Sequence, residues 1–392
     1  MNQLQDLDLK NKKVFIRADL NVPIKAGKIT STKRIEASLP TISHCLKMGA
    51  KVMITSHLGR PEEGKYNPEL SLLPVVKFLE NYFKKKIILI KDWVDQKIDL
   101  EPGDLVVLEN CRFNEGESDN NENLSKKYAA LTDIFVMDAF GTAHRKQAST
   151  YGIAQFCHEV CAGKLFFSEL DALKKVMSDP KSPMVAIVGG SKVSTKLSIL
   201  ESLSDRVDQL VLGGGIANTF LKAQGFNVGN SLCENDFIDS AKKIIKKLES
   251  RGASLPLVTD VICGKDLNEN EVAVKKNIND LDPTDMIFDL GPETMKGIEE
   301  NIKKSQTILW NGPIGVFELN QFSKGTESLA HSIANSIAFS LVGGGDTIAA
   351  LEKFGMLKNM SYISTAGGAF LEFVEGKKLP AIEILEKRST VE

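Results

Sequence analysis

The sequence contains no Gly-x4-Gly-Lys-Ser/Thr string and no complete Gly-x-Gly-x-x-Gly fingerprint. Those absences count against the common P-loop nucleotide hydrolases and against a nicotinamide enzyme; "GGGIAN" at 213–218 comes nearest to the dinucleotide pattern and fails at its last glycine. Charge of one sign is also lacking. A formal net charge of −2 offers no bulk attraction to nucleic acid or anionic lipid, so any anion site must be local. No apolar run is long enough to span a bilayer, and "MNQLQDLDLKNKK" at the start lacks the apolar core of a signal peptide. A cytoplasmic protein with neither membrane nor nucleic-acid partner is expected. The six cysteines (45, 111, 157, 161, 233 and 263) are scattered, and "CHEVC" at 157–161 has neither zinc-ribbon nor haem-attachment spacing. They read as buried free thiols in a reducing compartment.

What is present describes an ordinary globular chain, 42% hydrophobic and 26% charged, whose 392 residues exceed a typical single core and point to two domains. Short apolar, β-branched runs alternate with longer amphipathic stretches throughout. This predicts an α/β fold of βαβ units, with mostly parallel sheets covered by helices on both faces. In the first half the runs are "KVFIRADLN" (13–21), "KVMITSHLGR" (51–60), "KIILIK" (86–91), "LVVLENCRF" (105–113) and "IFVMDAFGTAHR" (134–145). In the second they are "MVAIVGG" (184–190), "QLVLGGG" (209–215), "MIFDLG" (286–291), "TILWNGP" (307–313), "AFSLVGGGDT" (338–347) and "SYISTAGG" (361–368). Between the halves, Leu170, Leu173 and Met177 in "SELDALKKVMSDPKSP" (168–183) mark one face of a connecting helix that Pro180 and Pro183 stop.

Open parallel sheets bind ligands at the carboxyl ends of their strands. In the first half those ends carry Asp19, Asn21, His57, Arg60, Arg112, His144 and Arg145, with Arg17 just before and Arg34 at the start of the first helix. One such arginine alone would be a surface salt bridge. Five or six converging on one edge are harder to dismiss: uncompensated like charges cost stability unless an anion neutralises them, and guanidinium forks suit phosphate and carboxylate oxygens. The expected ligand is a small, multiply anionic molecule, with His57 and His144 donating to it and Asp19 and Asn21 fixing its hydroxyls. In the second half the strands end in glycines, which let backbone amides approach a base or phosphate closely. A pair of them alone would be a tight turn. "LVGGGDTIAAL", however, runs three glycines into Asp346-Thr347 at a predicted helix start, with Asp346 either a magnesium carboxylate or a plain N-cap. Glu318 in "WNGPIGVFE" is placed to accept from a ribose hydroxyl. In "GGSKVSTKLSIL" (189–200) a helix is predicted from about Ser191, with Val193, Leu197 and Leu200 buried. Lys192 and Lys196 would then share a face, and a docking anion would offset their conflict with the helix dipole.

Together these segments resemble the phosphoglycerate kinase family from end to end. The resemblance rests on "RADLNVP" (17–23), "TSHLGRP" (55–61), "LENCRF" (108–113), "DAFGTAHR" (138–145), "GGSKVSTK" (189–196), "GGGIANTFL" (213–221), "WNGPIGVFE" (310–318), "GGGDT" (343–347) and "STAGGAFLEFVEGK" (364–377). It implies two Rossmann-like domains: residues 1–167 with 380–392 for 3-phosphoglycerate, and residues 183–379 for nucleotide, joined by a hinge helix at 168–182. It also implies a monomer that transfers a phosphoryl group reversibly between 1,3-bisphosphoglycerate and magnesium-ADP, giving 3-phosphoglycerate and ATP. Carried onto matching positions, Asp19, Asn21, Arg34, His57, Leu58, Gly59, Arg60, Arg112, His144 and Arg145 would hold the triose. Lys196, Gly213, Gly214, Gly291, Asn311, Glu318, Gly344, Gly345, Asp346 and Thr347 would serve the nucleotide, Asp346 through its Mg2+. Arg34 and Lys192 would stabilise the group in flight, and Thr365, Gly367 and Gly368 would form an anion loop. One departure is Ala366, where many members have glycine; an extra methyl could perturb a helix-terminus anion site there, but the flanking Gly367 and Gly368 remain and the activity is not put in doubt. The rival readings are another acyl-phosphate kinase and a catalytically silent nucleotide-binding protein on the same scaffold.

Overall fold

The computed structural model describes residues 1–389. The chain divides into two compact units, residues 1–171 with 377–392 and residues 172–376. In the first unit six parallel strands form one sheet. Their spatial order is Ile88–Ile90, Leu105–Leu108, Lys51–Thr55, Lys13–Ala18, Ile134–Asp138 and Glu159–Ala162. Their nearly continuous burial explains why the runs do not alternate: both faces of the sheet are covered. Helix Lys33–Lys47 turns Ile35, Leu39 and Ile42 inward, and Leu73–Phe83 buries Val75, Val76 and Leu79. The chain leaves Lys13–Ala18 to one side, for Lys51–Thr55, and later returns on its other side with Ile134–Asp138. That reversal opens a crevice at the carboxyl ends of these three strands.

The second unit carries a five-stranded parallel sheet in the order Gln209–Gly213, Met184–Gly189, Thr307–Asn311, Phe339–Gly343 and Tyr362–Ser364. Its reversal lies between Met184–Gly189 and Thr307–Asn311. One run departs from the expected βαβ series. Met286–Leu290 belongs to a separate antiparallel sheet, with Asp260–Gly264 in the centre and Val274–Asn277 on the far side. Val274–Asn277 reads "VKKN" and is mostly exposed, so it carries no apolar run to announce it. The short strand Glu159–Ala162 was likewise hidden in the "CHEVC" cysteine spacing.

Two helix boundaries also differ from expectation. The connecting helix runs Lys164–Met177, starting four residues before and ending five residues before the expected 168–182, and buries Leu170, Leu173 and Met177. The contact division falls inside it, between Asp171 and Ala172. The helix expected from Ser191 begins only at Leu197, and residues 191–196 form turns. The terminal helix Pro380–Lys387 packs in the first unit, where Ala381 N–H donates to the Ala143 carbonyl (3.1 Å) and Arg388 to that of Cys157 (2.5 Å). The last three residues of the 380–392 segment lie outside the described residues. No helix is long and apolar enough to cross a membrane among the described residues. All six cysteines are free and five are buried; burial pushes the Cys45, Cys111 and Cys157 thiols up to about 12.

Candidate functional site

In the crevice of the first unit, direct contacts link Arg34, Asp19, Asn21, Gly59 and Arg112, and Arg60, Arg145 and His57 lie within electrostatic reach of this set. Arg34, in the first turn of helix Lys33–Lys47, donates through Nη1 to the Asn21 carbonyl (3.0 Å) and to Asp19 Oδ1 (3.5 Å). The Asn21 side-chain oxygen accepts the Gly59 N–H (3.0 Å), and the Gly59 carbonyl accepts Arg112 Nη1 (2.6 Å). Asn110, buried after strand Leu105–Leu108, donates to the Leu58 and Leu70 carbonyls (2.8 and 2.9 Å) and so holds the His57–Arg60 turn. Gly59 is at φ +63°, a backbone region that L side chains rarely adopt, which explains glycine in this turn. Arg60 is exposed, Arg34 and Arg145 are half-buried, and Asp19 and His57 are buried. Arg145 Nε donates to His144 Nε2 (3.4 Å), and burial, followed by Arg17 and Arg60, lowers the Arg145 pKa. The His144 Nδ1 is buried without a hydrogen-bond partner among the described residues. A cluster in which arginines repel one another at a crevice, with a donor atom unsatisfied, is suited to a multiply charged anion.

Arg17 plays a different part from the one its place in the sequence suggests. It is fully buried and spends its guanidinium on the protein: Nε on Ser149 Oγ (2.9 Å), Nη1 on the Ala18 carbonyl (2.6 Å) and Nη2 on His57 Nδ1 (3.2 Å). It therefore supports His57 instead of facing the crevice. Burial lowers the His57 pKa well below its ordinary value, and Arg17, Arg145 and Arg34 push it the same way, so the imidazole is neutral.

In the second unit one lysine ties the strand ends together. Lys196 Nζ donates to the Gly189 carbonyl (2.7 Å), the Asn311 carbonyl (3.1 Å) and Asn311 Oδ1 (2.6 Å), spanning the reversal of the sheet. Asn311 Nδ2 continues to the Gly343 carbonyl (2.8 Å), while Thr347 Oγ1 donates to Gly343 O (3.0 Å) and accepts Gly312 N–H (2.7 Å). Burial lowers the Lys196 pKa to about 8, against the pull of Asp346. Because the helix starts at Leu197, Lys192 and Lys196 do not share a helical face; Lys192 is exposed and Lys196 is drawn back over the strand ends. The N-cap of helix Gly345–Lys353 is Gly344 at φ +98°, so Asp346 is not the cap: its exposed carboxylate stands in the first turn, free for another task.

The remaining expected residues surround this frame. Gly214 (φ +63°) has no room for a side chain, since a Cβ would stand 2.8 Å from the Gly190 carbonyl. Glu318 is exposed, and Lys353 donates to its carbonyl (3.3 Å) and to that of Phe317 (2.7 Å). Gly291 follows strand Met286–Leu290 of the antiparallel sheet and caps helix Pro292–Lys304; a Cβ there would lie 2.2 Å from Asp260 Cγ, which alone accounts for glycine. Beside it runs a narrow apolar crevice lined by Leu212, Ala217, Phe220, Leu255, Pro256 and Leu290, which sequence reasoning missed because its walls come from four separated segments. Thr365 lies just before Ala366, whose methyl is buried, whereas Gly367 and Gly368 are exposed. Among the described residues no group of three or more His, Cys, Asp and Glu is placed to hold a metal.

The profile of the family described as phosphoglycerate kinase matches residues 4–377. The chain is similar to the structure of phosphoglycerate kinase from Coxiella burnetii, at 53% identity and a TM-score of 0.97, over 99% of this chain and 100% of that one. It is also similar to the crystal structure of phosphoglycerate kinase from Pyrococcus horikoshii OT3, at 32% identity and a TM-score of 0.80, over 98% of both chains. With a cationic crevice at one sheet reversal and a lysine-tied glycine frame at the other, and with these matches over nearly its whole length, the chain belongs to the phosphoglycerate kinase family.

Proposed function

We propose that the protein transfers a phosphoryl group reversibly between 1,3-bisphosphoglycerate and magnesium-ADP. A carboxylate oxygen of 3-phosphoglycerate attacks the terminal phosphorus of ATP, the bond from that phosphorus to the bridging oxygen breaks, and ADP leaves with the electron pair. A carboxylate nucleophile has no proton to lose, so no general base is required. What the transfer requires is alignment and neutralisation of charge on the moving group.

The cationic crevice supports a triose site in the first unit. Arg60, Arg112 and Arg145 would meet its anionic oxygens, His57 would donate to them, and Asp19 and Asn21 would hold its hydroxyl. The glycine-ended frame supports a nucleotide site in the second unit. Gly213, Gly214 and the apolar crevice beside Gly291 suit a base, Glu318 a ribose, and Lys196 with the amides at Gly344, Gly345 and Thr347 the phosphates. Asp346 fits the part of a single protein carboxylate toward Mg2+: it is exposed, it caps nothing, and the nucleotide phosphates would supply other ligands. Magnesium when bound neutralises phosphate charge. Arg34 and Lys192 remain the candidates for stabilising the transferred group, and Thr365, Gly367 and Gly368 for an anion loop. Hinge bending at the connecting helix, a monomeric state and a cytoplasmic location complete this reading.

The observation that carries the proposal is the difference in chemistry between the two sheet reversals, arginine and histidine at one and bare amides with lysine at the other. A panel of carboxylates offered with Mg-ATP tests the acceptor. Turnover confined to 3-phosphoglycerate supports the proposal, and preference for a carboxylate without a phosphate group overturns it.

A further inference from the structure

Arg17, Ser149 and Glu117 form a buried chain behind the triose crevice. Ser149 Oγ lies 2.6 Å from Glu117 Oε1, to which it donates its only hydrogen, and the Ser149 N–H points to the same oxygen (3.3 Å). The other carboxylate oxygen accepts from Tyr128 (3.1 Å), whose hydroxyl in turn accepts from Asn114 Nδ2 (3.0 Å). Arg17, Glu117, Tyr128 and Ser149 are all fully buried.

The hydrogen-bond directions in this chain are forced. Arg17 Nε can only donate, so Ser149 Oγ presents a lone pair to it and turns its own hydrogen to Glu117 Oε1. A guanidinium only donates, so His57 Nδ1, 3.2 Å from Arg17 Nη2, must accept. The single proton of the neutral imidazole is thereby assigned to Nε2, which has no hydrogen-bond partner among the described residues. Glu117 is the carboxylate facing the buried Arg17 charge, one hydroxyl removed. Burial raises its pKa, while Ser149 and Arg17 favour its charged form.

We propose that Glu117 is a positioning residue: acting through Ser149 and Arg17, it fixes His57 as an Nε2–H donor facing the crevice. The importance of that donor for turnover rests on the triose reading above, but its tautomer does not. Without Glu117 the serine hydroxyl can turn toward Cys111 Sγ (3.6 Å), and Arg17 loses its counter-charge and the fixed orientation of its Nε acceptor. Only the Ala18 carbonyl then anchors the guanidinium, and its hold on His57 Nδ1 as an acceptor loosens. A protonated Nδ1 would instead leave Nε2 a bare lone pair, which repels phosphate and carboxylate oxygens.

The direct test is nitrogen NMR of the histidine side chains in the full-length protein, without substrate, assigning His57 by loss of its signal in His57→Gln. Wild type is expected to show a neutral Nε2–H tautomer across pH 6–8. Glu117→Gln and Ser149→Ala are each expected to give a mixture of tautomers. In parallel, KM for 3-phosphoglycerate should rise about tenfold, the scale of one hydrogen bond to a charged group, with KM for ATP unchanged. An Nδ1–H or doubly protonated His57 in wild type overturns the proposal whether or not the variants fold. So does a single Nε2–H tautomer retained in both folded variants. Correct tautomers in a protein that does not turn over 3-phosphoglycerate would contradict the triose reading and leave this assignment standing.

Discussion

Arg34 satisfies the Asp19 carboxylate and the Asn21 carbonyl through one nitrogen, Nη1, leaving Nη2 and Nε available at the crevice. A guanidinium held at one end and open at the other suits charge that develops only during transfer. Arg34→Ala is therefore expected to lower kcat about 100-fold, or roughly 3 kcal/mol of barrier, while leaving ATP affinity within a factor of two. Steady-state kinetics with a direct nucleotide titration checks it; equal losses in both would assign Arg34 to folding or positioning. Asp19, Asn21, His57 and Arg112 were legible in sequence as candidates because they close apolar strand runs, and parallel strands present their carboxyl ends to ligand. Arg17 was not, since its position two residues before Asp19 gives no indication that the side chain turns into the core. Glu117 was invisible for a related reason: a glutamate in "NEGESDN" reads as a solvated loop charge, and only tertiary structure brings it to Ser149, 32 residues away.

At the scale of elements, two buried carboxylates hold helix starts. Asp138 Oδ1, at the end of strand Ile134–Asp138, accepts the Leu165 and Phe166 N–H groups (3.0 and 3.3 Å) in the first turn of the connecting helix. Asp289 Oδ2 accepts Gly325 N–H (2.6 Å) at the start of helix Lys324–Ala334. Burial raises both pKa values from 3.8 to about 7, against the pull of these N–H groups. Between those limits the native protein keeps protons that the unfolded chain has released. The stabilising contribution is thus complete below pH 3.8 and lost as pH rises through 7. Asp138→Asn removes that dependence, so its stability relative to wild type should improve by about 2–4 kcal/mol between pH 4 and pH 8. Urea denaturation of both proteins at the two pH values measures this, and a pH-independent difference would show that Asp138 does not titrate on unfolding. Among the elements themselves, the parallel strands were legible from uninterrupted apolar runs. The start of the helix at Leu197 was not, because the apolar spacing of Val193 and Leu200 fits a helix while the Lys196 ammonium, bonded back to Gly189, holds a turn instead. The antiparallel sheet was missed because its edge strand is polar and exposed.

At the scale of the whole molecule, the proposed function assigns anion recognition and nucleotide recognition to different compact units, and helix Lys164–Met177 runs from one unit into the other. In-line transfer requires both ligands in one water-poor space, so the proposed hinge bending should appear only when both are present. Small-angle scattering is expected to show a smaller radius of gyration with 3-phosphoglycerate and a non-hydrolysable ATP analogue together than with either alone. An unchanged radius would count against closure. The central claim, phosphoryl transfer to a carboxylate, is tested most directly by following 1,3-bisphosphoglycerate formation from ATP and 3-phosphoglycerate with a coupled dehydrogenase. The account predicts magnesium-dependent turnover that needs both substrates and is abolished without 3-phosphoglycerate. A folded protein that binds both substrates yet forms no acyl phosphate would contradict it.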